Sequence, residues 1–166
     1  RAMLGNCWEY DIRSSVVAWK MGYARSFMAA SGLGEDLKAS FPATMLYLED
    51  KKDFMATTQH FVFLKSSAVP KDLKPKLLKQ AFTAISFGAR QTAKGWLDAM
   101  GNWTNPALVE ILQNSDDRAR FLADDTVKLF IKEQNALDEY LYALFKRFRP
   151  DLLLEPYLQT DSGRPS

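Results

Sequence analysis

A chain of 166 residues, 47% apolar and 25% charged, has the makeup of one globular domain able to bury a core. Its 22 basic and 20 acidic residues leave a net charge of +2, too small for bulk attraction to nucleic acid, so any such affinity has to come from local clusters. One cysteine, Cys7, rules out an internal disulfide, and with the one histidine, His60, it rules out a Cys/His zinc site.

No apolar run approaches the roughly 20 residues of a membrane span, and no signal-peptide pattern is present. The expectation is therefore a soluble, intracellular, cytoplasmic protein with no membrane partner. The arginine at position 1 and the polar stretch Gln159–Ser166 point to a piece of something longer.

The chain begins with Gly5–Ile12, where Cys7, Glu9 and Asp11 alternate with Asn6, Trp8, Tyr10 and Ile12. Alternation of this kind predicts a short strand with a partly buried face. Ser14 stands where a helix N-cap belongs, and Ser15–Ala30 carries Val16, Trp19, Tyr23, Phe27 and Ala30 at helical spacing. The strand would thus end in Asp11, close to the positive end of a helix, where a carboxylate stays ionised easily.

Ser31–Glu35 reads as a turn. Phe41-Pro42 opens another helical pattern, which continues to Leu64 with a break at the charged Glu49–Asp53. His60, among Phe61, Val62 and Phe63, has no Ser, Cys or carboxylate pattern around it and is expected to be a structural histidine on a packed helix. Lys65–Pro75, with two prolines and three lysines, reads as a basic linker.

A helix is then predicted over about 74–90 with two chemically different faces. Lys79, Thr83, Ser86, Phe87 and Arg90 fall in a sector of about 100°, opposite Leu78, Ala81, Phe82, Ile85 and Ala89. Such a polar face can hold an anion at one end and stack a flat group at the other. Gln91–Met100 is expected to continue as helix or turn, ending at Gly101-Asn102. Thr104–Asn114 and Ser115–Ala123 read as short helices. Asp124 or Asp125 caps the longest helix, Thr126–Phe148, whose stripe is Val127, Phe130, Ile131, Gln134, Leu137, Leu141, Leu144, Phe145 and Phe148. The expected fold class is mainly α-helical (α+β), with at least one strand at the N-terminal edge.

An aspartate that ends a strand, followed downstream by a helix with Lys79, Phe87 eight positions on and then Gly88, resembles motifs A and B of one polymerase superfamily. That superfamily contains family A DNA polymerases and the phage and mitochondrial single-subunit RNA polymerases. KLLKQAFTAISFG looks like the RNA-polymerase form of motif B, and DIRSS places Ser15 four after Asp11, as those enzymes do. Val16 stands where family A DNA polymerases carry a glutamate, which also leans toward RNA polymerases. Other positions depart from the pattern: Pro75 replaces a basic residue, phenylalanine replaces the usual tyrosine at 87, and Ala18-Trp19 replace a glutamine-histidine pair.

The resemblance implies a helical fingers subdomain attached to the first strand of a palm. Residues 1–31 would be the start of the palm, and residues 32–166 the fingers region. It implies a nucleotidyltransferase, a DNA-directed polymerase that works by two-metal chemistry with Mg²⁺. Asp11 and the Ile12 backbone carbonyl would ligate the metal, and Lys79 would contact the triphosphate. Phe87 would pack on the nascent base pair, Gly88 would give the template clearance, and Thr83, Arg90 and Lys76 would add nucleotide contacts. The implied partners are template nucleic acid, an incoming nucleoside triphosphate and the remainder of the polymerase, and a phage origin fits the likeness. Motif C, a His-Asp carrying the second metal carboxylate, is absent, since His60 precedes Phe61. The segment alone would therefore be inactive. The alternative from the residues is a non-catalytic helical domain that binds nucleic acid or protein.

Overall fold

The computed structural model describes residues 15–30 and 37–153. The predicted strand Gly5–Ile12, Asp11 and Ile12 with it, Ser14, the turn Ser31–Glu35 and the stretch Gln159–Ser166 lie outside the described residues. Within them the fold is mainly α-helical. The helices are α1 (Ser15–Ala30), α2 (Leu37–Ser40), α3 (Pro42–Glu49), α4 (Lys51–Val62), α5 (Lys74–Ser86), α6 (Ala107–Ile111), α7 (Ser115–Ala123) and α8 (Asp125–Phe148). A two-stranded antiparallel ribbon, β1 (Trp96–Leu97) and β2 (Trp103–Thr104), lies between α5 and α6, and a 3-10 turn, Pro150–Leu153, follows α8.

α8, 24 residues and therefore about 36 Å long, is the spine. Its stripe faces two hydrophobic clusters. The first is aromatic: Tyr47, Phe54, Phe82 and Phe130 meet at ring centroid distances of 4.9 to 5.9 Å, mostly tilted or edge-on. Aromatic quadrupoles favour such angles over flat sandwiches. The second cluster joins Met21, Ala24, Met28 and Leu37 to Leu137 and Leu141.

A polar layer separates the two. Lys20, between Val17 of the first cluster and Met21 of the second, is buried, as are Glu133 and Gln134 of α8. The Lys20 ammonium donates to the Ser86 carbonyl at 2.5 Å and to Gln134 Oε1 at 3.3 Å, and pairs with Asp138 at 2.6 Å. Three donors meet three acceptors, which makes burial of the charge tolerable. Gln134 passes the chain on to Thr44 Oγ1 at 3.3 Å. Glu133 accepts from the Ala43 and Thr44 backbone N–H groups at 3.1 and 2.9 Å. These are orphan donors of the first turn of α3, whose own N-cap position, Phe41, has no side chain able to cap. Pro42, in that first turn, has no N–H to satisfy.

Several sequence expectations change. The stripe Val16–Trp19–Tyr23–Phe27 is not the buried face of α1: Trp19 is 50% exposed, while Val17, Met21, Ala24 and Met28 are buried. The smaller side chains allow close approach to α8. The aromatics instead step along the outside, Tyr23 on Phe145 and Phe27 on Phe148. His60, expected to be packed, is exposed in the last turn of α4.

Gln91–Met100 is not helical. Asp98 Oδ1 accepts from the N–H groups of Met100 and Asn102, and Gly101 takes φ 80°, so of the helix or turn expected here the turn forms, and it closes a two-stranded ribbon that was not expected. A short side chain that bonds its own backbone competes with helix. Gly95 makes the ribbon possible, because a Cβ there would lie 2.7 Å from the Thr104 carbonyl oxygen and the Trp103 ring.

The helix expected over Thr104–Asn114 is shorter, Ala107–Ile111, because Thr104 pairs in β2, whereas several other helix boundaries fall where the sequence puts them. The break between α3 and α4 falls on Asp50, whose carboxylate accepts from Asp53 N–H. Asp124 caps α8, and Asn114 caps α7.

Replacing Lys20 by methionine leaves the Ser86 carbonyl and Gln134 short of a partner. Asp138 is partly solvated, which limits the cost. We expect a loss of about 1–3 kcal/mol, read as a lower urea midpoint at unchanged slope. Wild-type stability in Lys20→Met would show that this junction does not constrain the fold.

Candidate functional site

The amphipathic helix α5 carries Lys76, Lys79 and Thr83, and Phe87, Gly88 and Arg90 follow its end. Leu78, Ala81, Phe82 and Ile85 are buried in the aromatic cluster, as the apolar face predicts. Lys76, Lys79 and Thr83 lie on the exposed side. The Lys79 ammonium makes no hydrogen bond or ion pair among the described residues, while the Thr83 hydroxyl donates to the Lys79 carbonyl at 2.8 Å and is thereby engaged within the helix.

The helix ends at Ser86, four residues earlier than the spacing predicts. The Gly88 N–H bonds the Ile85 carbonyl at 2.9 Å and the Ala89 N–H reaches back to Ala84 at 3.0 Å, with Gly88 at φ 83°. This pair of bonds is the Schellman ending, which places a left-handed residue just past the helix. Glycine is favoured there because a Cβ crowds the following carbonyl. Gly88 thus has a structural reason of its own, and no atom lies within 4 Å of a Cβ built on it. Beneath this ending lies Lys20, a cation on the last carbonyls of α5, where the helix dipole favours one.

Phe87, at the cap, is 71% exposed. Arg90 turns away from the helix and stacks its guanidinium 4.1 Å above the Trp96 ring, anchoring the ribbon. Lys79 and Phe87 are therefore presented outward two turns apart, about 12 Å along the axis. Arg90 is diverted from that surface.

Lys79 also lines a groove of about 500 Å³ between α5 and α4. Its walls are Lys51, Lys52, Met55, Ala56 and Gln59 from α4, with Pro75 and Lys79 from α5. Lys52, Met55, Ala56 and Gln59 follow the three-and-four spacing of one helix face, and Pro75 and Lys79 lie one turn apart. Lys51, Lys52 and Gln59 are not among the residues that the sequence motifs single out. That spacing was legible within α4, but its alignment with Lys79 depends on how the two helices pack.

The basic end of α8 is occupied locally. Arg147 lies 5.0 Å over Phe148, and Arg149 bonds Asp151 at 3.1 and 3.2 Å. The hydrogen bond to Asp151 raises the Arg149 pKa above its ordinary value. No group of three or more His, Cys, Asp or Glu residues able to hold a metal occurs among the described residues. The proposed ligands Asp11 and Ile12 lie outside them. No helix among the described residues is long and apolar enough to cross a membrane. Comparison with protein-family models, with curated proteins and with solved structures yields no match.

The cap at Gly88 has a direct consequence. Gly88→Ala should cost about 1–2 kcal/mol, from the left-handed backbone it must adopt. At this chain length the melting temperature should fall by roughly 3–6 °C. An unchanged melting temperature in calorimetry would remove the cap as the reason for glycine here.

Proposed function

We propose that the chain is the palm-start and fingers portion of a template-directed nucleic-acid polymerase, closer to the single-subunit RNA polymerases than to family A DNA polymerases. The observation that carries this reading is the exposure of both Lys79 on α5 and Phe87 at its C-terminal cap. Neither side chain is consumed by the core, and the motif B resemblance assigns the first to the triphosphate and the second to the base pair. In this reading Lys79 neutralises charge on the incoming triphosphate, as a compact ammonium suits phosphate oxygens. Phe87 offers a flat apolar face to a base pair, and the absence of a hydroxyl there removes one handle on the sugar. Asp11 is the proposed magnesium ligand on the strength of the motif A resemblance alone, so no step is drawn through the metal. The second carboxylate would come from further sequence or another subunit.

A second reading follows from the α4–α5 groove by itself: a helical module that binds nucleic acid without catalysis. Its affinity would be salt-sensitive and would not be accompanied by nucleotide incorporation.

Incorporation assays on the complete polymerase, as one chain or a reconstituted complex, separate the two. Asp11→Ala and Lys79→Ala should each reduce incorporation at least about 100-fold, the scale of losing a contact to developing charge. Circular dichroism should stay unchanged. Wild-type incorporation in both variants would end the polymerase assignment.

A further inference from the structure

The α4–α5 groove carries more than the placement of Lys79. Its walls present ammonium groups from two different helices, and no carboxylate is among the lining residues. The neighbouring acids at the start of α4 are its N-cap Asp50, whose oxygen accepts from the Asp53 backbone N–H, and Asp53 itself in the first turn. Lys51 is held 4.5 Å over the Tyr47 ring, so this cation is positioned at the groove's edge by the aromatic cluster. The groove begins at the positive end of α4, whose dipole favours an anion. From Lys52 to Gln59 it follows α4 for about 10 Å, longer than a single phosphate needs. Met55, Ala56 and Pro75 give it apolar surface, and Gln59 adds an amide that can donate or accept.

We infer that this groove binds a chain of linked phosphates, with Lys51 and Lys52 on one wall and Lys79 on the other. The inference rests on the proposed role of Lys79 and extends it to residues of α4 that the motif resemblance does not include. The same chemistry can arrive as the triphosphate of a free nucleotide or as the backbone of a nucleic-acid strand. Lysines on opposite walls suit either, since each contributes a point charge to a different phosphate.

Titration calorimetry on the 166-residue chain, with tripolyphosphate, ATP and a single-stranded oligothymidylate as probes, tests this directly. Lys52→Ala and Lys79→Ala should each weaken binding about 5- to 10-fold, and the double variant about 30-fold or more. Lys128→Ala, an exposed lysine of α8 away from the groove, should change it less than about 2-fold. If tripolyphosphate and ATP bind and the oligonucleotide does not, the groove takes a free triphosphate. If only the oligonucleotide binds, with its salt slope falling by about 0.7 per lysine removed, the groove takes a strand backbone.

Absence of binding by all three probes would overturn the inference. So would binding that Lys52→Ala and Lys79→Ala leave unchanged. Nucleotide incorporation is not the readout, so the two proposals fail separately. A groove that binds while the Asp11→Ala polymerase still incorporates nucleotides keeps this site and removes the polymerase reading. Loss of incorporation with no phosphate-dependent role for Lys52 does the reverse.

Discussion

The buried ammonium of Lys20 is the contact on which the arrangement of the helices depends. It comes from α1, neutralises the carbonyl end of α5 at Ser86, and pairs with Gln134 and Asp138 on α8. Three helices distant in sequence are thereby tied at one point by directional bonds. A misplaced α1 would leave a buried charge without partners, which costs far more than any single apolar contact. Glu133, on the next residue of α8, does the same for the start of α3. The polar layer therefore sets register between two apolar clusters that by themselves could slide.

This layer also positions the candidate site. Ser86 is the last residue of α5, and Phe87-Gly88 follow it directly. Whatever Phe87 contacts, its direction is set by a helix ending clamped from below by Lys20 and closed from within by the Gly88 cap. At the other end of the site, the α4–α5 groove is held open by the packing of Phe54 and Thr58 on one helix and Leu78 and Phe82 on the other. A second buried group, Asp117, supports that packing: it accepts from Ser67 and from Arg120, whose guanidinium also reaches the Val62 carbonyl at the end of α4. Both ends of α4 are thus satisfied by side chains, its start by Asp50 and its end by Arg120.

Residues expected to act together are partly separated. Lys79 and Phe87 are both exposed. Arg90 is given over to Trp96, and Thr83 to its own helix. In their place α4 supplies Lys51 and Lys52. A site of this kind gathers charge from elements whose relation is tertiary, which is why the lysine-rich linker at 65–75 drew attention in sequence while the lysines at 51 and 52 did not.

The sequence by itself determined what depends on near neighbours. Periodicity marks α5 and α8, the charged stretch 49–53 marks the break before α4, Asp124 marks the start of α8, and the repeat places Leu78, Ala81, Phe82 and Ile85 inside, although Ser86, on the polar side of that repeat, is buried as well. Each follows from local chemistry: a side-chain oxygen bonding an N–H two or three residues on, or a repeat of 3.6. Tertiary structure decided which of two apolar faces α1 buries, because bulky aromatics and small aliphatics look alike to a hydrophobic repeat but differ in how closely they admit α8. It decided that Lys20 and Glu133 lie inside, since a buried charge is recognisable only once its partners are known. It also decided that 96–104 folds as a ribbon, where the Gly95 approach to Trp103 and the Asp98 turn outweigh a weak helical pattern. The groove between α4 and α5 belongs to the same class: its cations are written in two places, and only packing brings them together.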